Sequence, residues 1–265
     1  MILITGATGN IGSELVKLLN GHNIRTMIRS EGTGDFNDPA SVEKALQGIE
    51  RAFLLTNSSE QAEQQQLTFV ELAQKAGVKH IVKLSQWAAD VNSPVRFLRY
   101  HAVVENKIRE SGMTYTFLRP NLFMQGLLDF VHDGQFFAPI GDAKISMVDI
   151  RDIAAVAATA LTTNGHENKI YNLTGPAAIT HPQIAEELSI ALNKKITFFN
   201  VTPQEMRAAL SQVGFPEWQA DGLIEDYAHY AKNEAAAVEN GVLEATGKAA
   251  RSFAEFARDY APVFK

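Results

Sequence analysis

Three glycines near the start of the chain constrain its fold more than any other feature. They occupy positions 6, 9 and 12 and follow the apolar run Ile2–Thr5, which is typical of a buried parallel strand. Residues 13–19 then have the apolar spacing of a helix. A strand, a glycine turn and a helix in this order predict a phosphate-binding loop, because the first helical turn has unpaired N–H groups and glycines let a phosphate approach the backbone.

The glycines recur at every third residue, so the motif is GxxGxxG rather than the GxGxxG of the dinucleotide-binding fingerprint. The segment TGATGNIG resembles the short-chain dehydrogenase/reductase superfamily, in its extended and atypical branches. This resemblance implies that the loop binds a nicotinamide dinucleotide. The loop residues expected to contact this cofactor are Gly6, Thr8, Gly9, Asn10, Ile11 and Gly12. No GxxxxGK[ST] segment, the signature of a P-loop, occurs in the sequence.

Composition excludes several other classes of protein. The net charge of −6 disfavours nucleic acid and anionic membranes as partners. The absence of cysteine excludes disulfides and thiolate catalysis, and the histidines form no HxxxH or HExxH pair, so we expect no metal site. Because the first strand begins at residue 2 and no apolar run reaches membrane-spanning length, we expect a cytoplasmic protein without a signal peptide.

Strand-like and helix-like runs alternate along the first half of the chain, which predicts a parallel sheet with helices on both faces. We predict an α/β, Rossmann-type, doubly wound sheet in residues 1–120. Residues 121–265 are expected to form a smaller, mostly helical substrate lobe that partly contributes back to the sheet. Residues 30–37 are too few for the helix and third strand that such a unit normally has there. The sequence leaves open whether the unit is truncated.

Two segments after predicted strands are candidates for the cofactor site. Arg29 ends the second strand, where an arginine would pair with a 2′-phosphate and favour NADP(H) over NAD(H). A solvated loop arginine is the alternative. Thr56 and Asn57 follow the third strand and are expected near the cofactor ribose, although a simple turn is an equally good interpretation.

The usual acid–base residues of the superfamily are missing from this chain. Ser85 ends a strand where short-chain reductases have a catalytic serine, but no YxxxK follows on the next helix. His101 and Glu105 share one face of that helix, and Tyr100 precedes the histidine. We expect His101 to donate a proton near neutral pH with its imidazole oriented by Glu105, and we count Tyr100 and Ser85 as further catalytic candidates. Ser85 is also expected to contact the cofactor. A surface pair of His101 and Glu105 is the alternative.

A more specific resemblance rests on HxxxE, the following SG and TFLRPNLF, together with GATGNIG. These segments resemble the NmrA-like family of atypical short-chain dehydrogenases/reductases. The family includes NADPH-dependent quinone oxidoreductases, dye reductases and isoflavone-type reductases, as well as regulators that bind NAD(P) without turnover. In isoflavone-type reductases a lysine occupies the position of His101. The resemblance implies that Arg29 lies on the adenine side of the cofactor and that Pro120, Asn121 and Phe123 lie beside the nicotinamide.

These observations predict an NADPH-dependent oxidoreductase that transfers hydride to a quinone-like or other small conjugated acceptor. The alternative is a non-catalytic NADP(H) sensor that acts through a partner protein. A nucleotide-sugar epimerase is a third hypothesis, which the missing YxxxK disfavours. Met124, Phe130, Phe136 and Phe137 are candidates for an apolar wall around the acceptor, although core packing is the better interpretation for the last two. The oligomeric state stays open.

Overall fold

The first half of the chain alternates strands with helices, as its apolar runs predict. A computed structural model describes residues 1–264. The elements up to residue 120 are β1 (Ile2–Thr5), α1 (Asn10–Leu18), β2 (Ile24–Met27), α2 (Pro39–Leu46), β3 (Arg51–Leu54), α3 (Ala62–Lys75), β4 (His80–Leu84), α4 (Arg96–Glu110) and β5 (Thr114–Pro120). Helix α1 begins at Asn10, three residues before its predicted start, so Gly12 lies inside the helix.

The second half is mostly helical and has short strands. Its elements are α5 (Leu127–Phe130), β6 (Gln135–Ala138), β7 (Lys144–Ile145), α6 (Ile150–Thr162), β8 (Lys169–Leu173), β9 (Ile179–Thr180), α7 (His181–Leu192), β10 (Thr197–Asn200), α8 (Pro203–Gln212), α9 (Glu217–Tyr230), α10 (Gly241–Thr246) and α11 (Phe253–Tyr260). Strands β6 and β9 and helices α5 and α10 were not predicted. No helix within residues 1–264 is long and apolar enough to cross a membrane.

The main sheet has six parallel strands in the order β2-β1-β3-β4-β5-β8. Strand β1 lies between β2 and β3, so the chain winds outward in both directions from β1. Ligands of such sheets bind beyond the carboxyl ends of the strands at this reversal. The Rossmann-type, doubly wound fold is therefore confirmed, and β8 brings the second half of the chain into the sheet.

The short connection after β2 explains where the sheet ends. A single 3₁₀ turn, Arg29–Glu31, follows β2 and leads towards α2, which returns the chain to β3 on the far side of β1. The Thr33 hydroxyl closes the turn by accepting from the Ile28 N–H at 2.7 Å. The unit is therefore truncated, and β2 is the edge of the sheet.

The apolar side chains form a core on each face of the sheet and a third core in the second half of the chain. Leu3 and Ile4 are neighbours on β1, and they enter the cores on opposite faces, as the alternation of a strand requires. The third core packs helices α7, α9 and α11 around a small parallel sheet of β6 and β10. Buried Phe136 belongs to that core.

Candidate active site

The glycine loop lines a groove of about 480 Å³ at the carboxyl ends of β1, β2 and β3. We call it the glycine-loop groove. Most of the predicted cofactor residues line it, and Gly12, Ser85, Pro120 and Asn121 do not. Its lining residues are Gly6, Thr8, Gly9, Asn10, Ile11, Met27, Arg29, Gly34, Asp35, Phe36, Asn37, Leu55, Thr56, Asn57, Gln65, Leu84, Phe123 and Ile150.

Gly9 and Gly12 each lack a side chain for a different physical reason. Gly9 has ordinary extended angles, and a Cβ there would meet only the Gly6 carbonyl at 3.4 Å. Packing within the protein therefore leaves space beside Gly9 on the groove side. A Cβ on Gly12 would instead lie 2.0 Å from the Gly6 carbonyl oxygen. Gly12 thus lets α1 approach the loop, and Gly9 leaves room for a ligand.

The amino end of α1 faces the groove with its first-turn N–H groups available. The helix begins after Gly9, and no side chain caps this end. The first N–H groups of a helix have no partner within the helix and carry the positive end of its dipole. Together with the open space beside Gly9, this geometry fits a pyrophosphate.

The far end of the groove contains one free cation and one acid. Arg29 is exposed, and its guanidinium has neither a hydrogen bond nor an ion pair with any of residues 1–264. Asp35 lies in the same groove, where its Oδ1 accepts from the Asn37 N–H at 2.9 Å. Arg25 is directed elsewhere, because its guanidinium donates to the carbonyls of Ala45 and Gln47 at the end of α2. Truncation after β2 places Asp35 in the groove, which the sequence did not predict.

A second cavity of about 250 Å³ adjoins the groove, and we call it the inner pocket. It shares Leu55, Thr56, Leu84 and Phe123 with the glycine-loop groove. It includes all three predicted catalytic residues. Its lining residues are Leu55, Thr56, Ser58, Leu84, Ser85, Gln86, Tyr100, His101, Pro120, Asn121, Leu122, Phe123, Asp226 and Tyr230. The predicted nicotinamide-side residues Pro120, Asn121 and Phe123 thus lie where the two cavities meet or next to that point.

His101 on α4 is held by a lysine that the sequence analysis overlooked. Lys83, on β4, is fully buried, and its Nζ lies 2.7 Å from His101 Nδ1 and donates to the Leu84 carbonyl at 2.9 Å. Burial lowers the pKa of Lys83 to about 7. Burial and the nearby positive charge of Lys83 hold the pKa of His101 well below its usual range. The imidazole is therefore neutral near pH 7, and a donating ammonium at Nδ1 leaves its proton on Nε2.

Glu105 does not orient His101, so that prediction was wrong. Its buried carboxylate accepts two hydrogen bonds from Arg119, at 2.9 and 2.6 Å, and one from the Ser85 hydroxyl at 2.6 Å. Arg109 adds a further contact at 3.0 Å. Burial alone would raise the pKa of Glu105, but the hydrogen bonds from Arg119 and Ser85 outweigh it and lower the pKa. Glu105 is therefore an anion that holds the hydroxyl of Ser85, a lining residue of the inner pocket.

The remaining predicted residues of the inner pocket differ in what they can contribute. Tyr100 is buried, which raises the pKa of its phenol to about 12, so it stays protonated at neutral pH. The Asn121 amide donates to the Ser146 hydroxyl and the Ala235 carbonyl, both at 2.9 Å, and thus ties β5 to the second half of the chain. Thr56 accepts from the Gln66 amide at 2.8 Å.

The four candidates for an apolar wall around the acceptor lie outside the inner pocket. None of Met124, Phe130, Phe136 and Phe137 lines the inner pocket. Phe136 packs against Phe198 in the third core, and Phe137 is exposed on the small sheet. The inner pocket takes its wall from α9 instead, through Asp226 and Tyr230.

Lys83 and Asp226 are two charged residues at the inner pocket that the sequence analysis missed. A lysine inside the apolar strand HIVKL was a usable signal, because a buried lysine needs a special partner. Asp226 offered no comparable signal, since it lies on an ordinary amphipathic helix 125 positions after His101. Only the packing of α9 against α4 brings it to the pocket.

Comparison with known proteins matches this architecture to one family. The model of the NmrA-like family matches residues 1–257. The chain belongs to the NmrA-like family. The resemblance predicted from GATGNIG, HxxxE and TFLRPNLF is thereby confirmed.

Several relatives of this NmrA-like chain are named as reductases or oxidoreductases. An NAD(P)H azoreductase of Xenophilus azovorans is 36% identical over 283 aligned residues, covering 100% of this chain and 99% of the relative. The structure of an NADPH-dependent quinone oxidoreductase from Escherichia coli, complexed with NADPH, has a TM-score of 0.87 at 30% identity and covers 98% and 99% of the two chains. Triphenylmethane reductase from Citrobacter sp., complexed with NADP(H), has a TM-score of 0.86 at 27% identity, with 98% and 100% covered.

Proposed function

We propose that this protein is an NADPH-dependent reductase of quinone-like or other small conjugated acceptors. The observation that carries the proposal is the junction of the glycine-loop groove with the inner pocket, which share four wall residues. A dinucleotide in the groove and an acceptor in the pocket would meet there. The quinone, azo and dye reductases among the relatives support the same class of acceptor.

The groove residues fit the cofactor in three places. The uncapped amino end of α1 and the open space beside Gly9 suit the pyrophosphate. The free Arg29 guanidinium suits a 2′-phosphate, which favours NADP(H). Thr56 and Asn57 lie between these points and the inner pocket, where they suit the ribose on the nicotinamide side. When bound, NADPH supplies a hydride.

His101 and Lys83 supply the proton that a reduced oxygen or nitrogen of the acceptor takes up. The His101 Nε2–H is the donor to the acceptor, and the Lys83 ammonium delivers a replacement proton to Nδ1. Proton transfer through the two ring nitrogens lets a neutral imidazole act as an acid without carrying a charge in a buried site. Leu55, Leu84 and Leu122 keep water away from the reacting atoms.

The proposal is tested with purified protein, NADPH or NADH, and a panel of quinones, azo compounds and triphenylmethane dyes, following oxidation of the nicotinamide by absorbance. We expect oxidation of NADPH with at least one acceptor class. Tight NADPH binding by calorimetry, with no oxidation by any acceptor in the panel, would overturn the reductase and favour the sensor.

A further inference from the structure

The inner pocket contains a buried carboxyl that the proposed proton transfer does not use. Asp226, on α9, retains 5% of its surface exposure and lines the pocket together with Tyr100 and His101. The Gln86 amide donates to both of its oxygens at 3.1 Å. Both of these bonds come from a neutral group, so they orient the carboxyl without balancing its charge.

No cation of residues 1–264 compensates Asp226. Neighbouring Glu225 adds negative charge, although Arg96 pairs with it at 2.7 Å. Burial raises the pKa of Asp226 to about 7, while Gln86 and the Tyr230 hydroxyl act in the opposite direction. A buried carboxylate without a compensating cation is stabilised by any ligand group that donates a hydrogen bond or carries a positive charge.

Positive charge lies behind another wall of the inner pocket. Lys83 and Arg119 place positive charge behind His101, which itself presents an N–H. The two walls of the inner pocket therefore differ in polarity. Asp226 offers oxygens that accept hydrogen bonds, and His101 offers an N–H that donates one. A conjugated acceptor with a carbonyl or azo group at one position and an N–H group at another matches this polarity.

We infer that Asp226 is a specificity-determining residue that binds an amino group on the acceptor and so selects amino-substituted aromatic acceptors. This inference rests on the proposed function for the identity of the pocket as the acceptor site. Asp226 accepts a hydrogen bond from the amino group, and Gln86 holds the carboxyl in position. The reacting group of the acceptor then lies toward His101.

The test compares equilibrium binding of an amino-substituted naphthoquinone with that of its methyl-substituted analogue, by difference absorbance and without nicotinamide cofactor. We expect Asp226→Asn to weaken binding of the amino ligand about tenfold, the scale of one charge-assisted hydrogen bond, and to leave the methyl ligand unchanged. Glu217→Gln is the matched control, because it removes an acid of the same helix whose side chain is 85% exposed. It should change neither affinity.

A second measurement uses the wild-type protein alone. Affinity for the amino ligand should rise through pH 7 relative to the methyl ligand, because Asp226 ionises there. The other groups facing Asp226 are Glu225, Tyr227 and Tyr230 on α9 and Tyr100 on α4, and none of the three tyrosines titrates near neutral pH. Lys83 also titrates near pH 7, but it faces His101 and acts on both ligands alike.

The outcomes separate this inference from the proposed function. Equal losses of both ligands in Asp226→Asn, or a ratio of affinities that does not change with pH, would overturn the role of Asp226 even if quinones oxidise NADPH. A selective loss of the amino ligand in a protein that oxidises no NADPH would support the amino-binding role and refute the reductase.

Discussion

The Lys83 ammonium and the His101 imidazole form a buried contact of 2.7 Å, in which the lysine comes from a strand and the histidine from the next helix. Neither group faces a carboxylate directly, because Glu105 is occupied by Arg119, Arg109 and Ser85. The lysine therefore has a lowered pKa and the histidine stays neutral. The pair can hold one exchangeable proton at the wall of the inner pocket.

Replacing His101 should remove the proton donor. We expect His101→Ala to lower kcat for a quinone acceptor by about 10²-fold, which is the lower end of the usual contribution of general acid–base catalysis. The Kd for NADPH should change little. Steady-state kinetics and calorimetry check the two parts. An unchanged kcat would mean that reduction needs no protein acid and that His101 only lines the pocket.

The pH dependence of turnover should follow Lys83 rather than His101. Burial lowers the pKa of Lys83 to about 7, so the proton supply is lost as pH rises through that value and kcat falls by roughly tenfold per pH unit above it. In Lys83→Met the rate should be low, and this decline should disappear. A wild-type profile that is flat across neutral pH would contradict the relay.

The Lys83→Met variant also tests how Lys83 affects the pH dependence of stability. Because the pKa of Lys83 is lower in the folded than in the unfolded chain, protonation favours unfolding, and wild-type stability should rise as pH increases from about 7 toward the ordinary lysine pKa of 10.5. Lys83→Met should remove that dependence. Its free energy of unfolding at low pH should therefore equal or exceed that of the wild type, measured by urea denaturation.

Two glycine variants should separate cofactor binding from folding. Gly9→Ala fills the open space beside the loop, so we expect NADPH binding to be lost while the melting temperature is retained. Gly12→Ala places a Cβ 2.0 Å from the Gly6 carbonyl oxygen, so we expect a lower melting temperature. Calorimetric titration and thermal denaturation of both proteins are the measurements. Equal NADPH affinity in Gly9→Ala and wild type would refute a dinucleotide at this loop.

The choice between the two nicotinamide cofactors should depend on Arg29 and Asp35. Arg29→Ala removes the free cation of the groove and should weaken NADPH about tenfold while sparing NADH. Asp35→Asn removes the nearby acid and should have the opposite effect, so that the preference for NADPH over NADH increases. Equal losses of both cofactors in Arg29→Ala would show that the residue only maintains the turn after β2.

Local sequence determined β1, α1 and the glycine loop between them. An apolar run followed by closely spaced glycines allows few backbone arrangements, and Gly12 in particular accepts no side chain. The shortness of the segment after β2 was visible as a count of residues, because eight residues cannot form a crossover, but the sequence left open whether the unit is truncated. The family resemblance rested on such contiguous segments, and a match over residues 1–257 confirmed it.

Tertiary packing alone decided which side chains meet in the pocket. The spacing of His101 and Glu105 on one helix face suggested a pair. Hydrogen bonds from Ser85, directly after β4, and from Arg119 on β5 instead satisfy the carboxylate and leave the imidazole to Lys83. Asp226 reaches the pocket only because α9 packs against α4. Sequence periodicity reports which face of an element is buried, whereas the partner of a buried polar group depends on long-range packing, which no local spacing encodes.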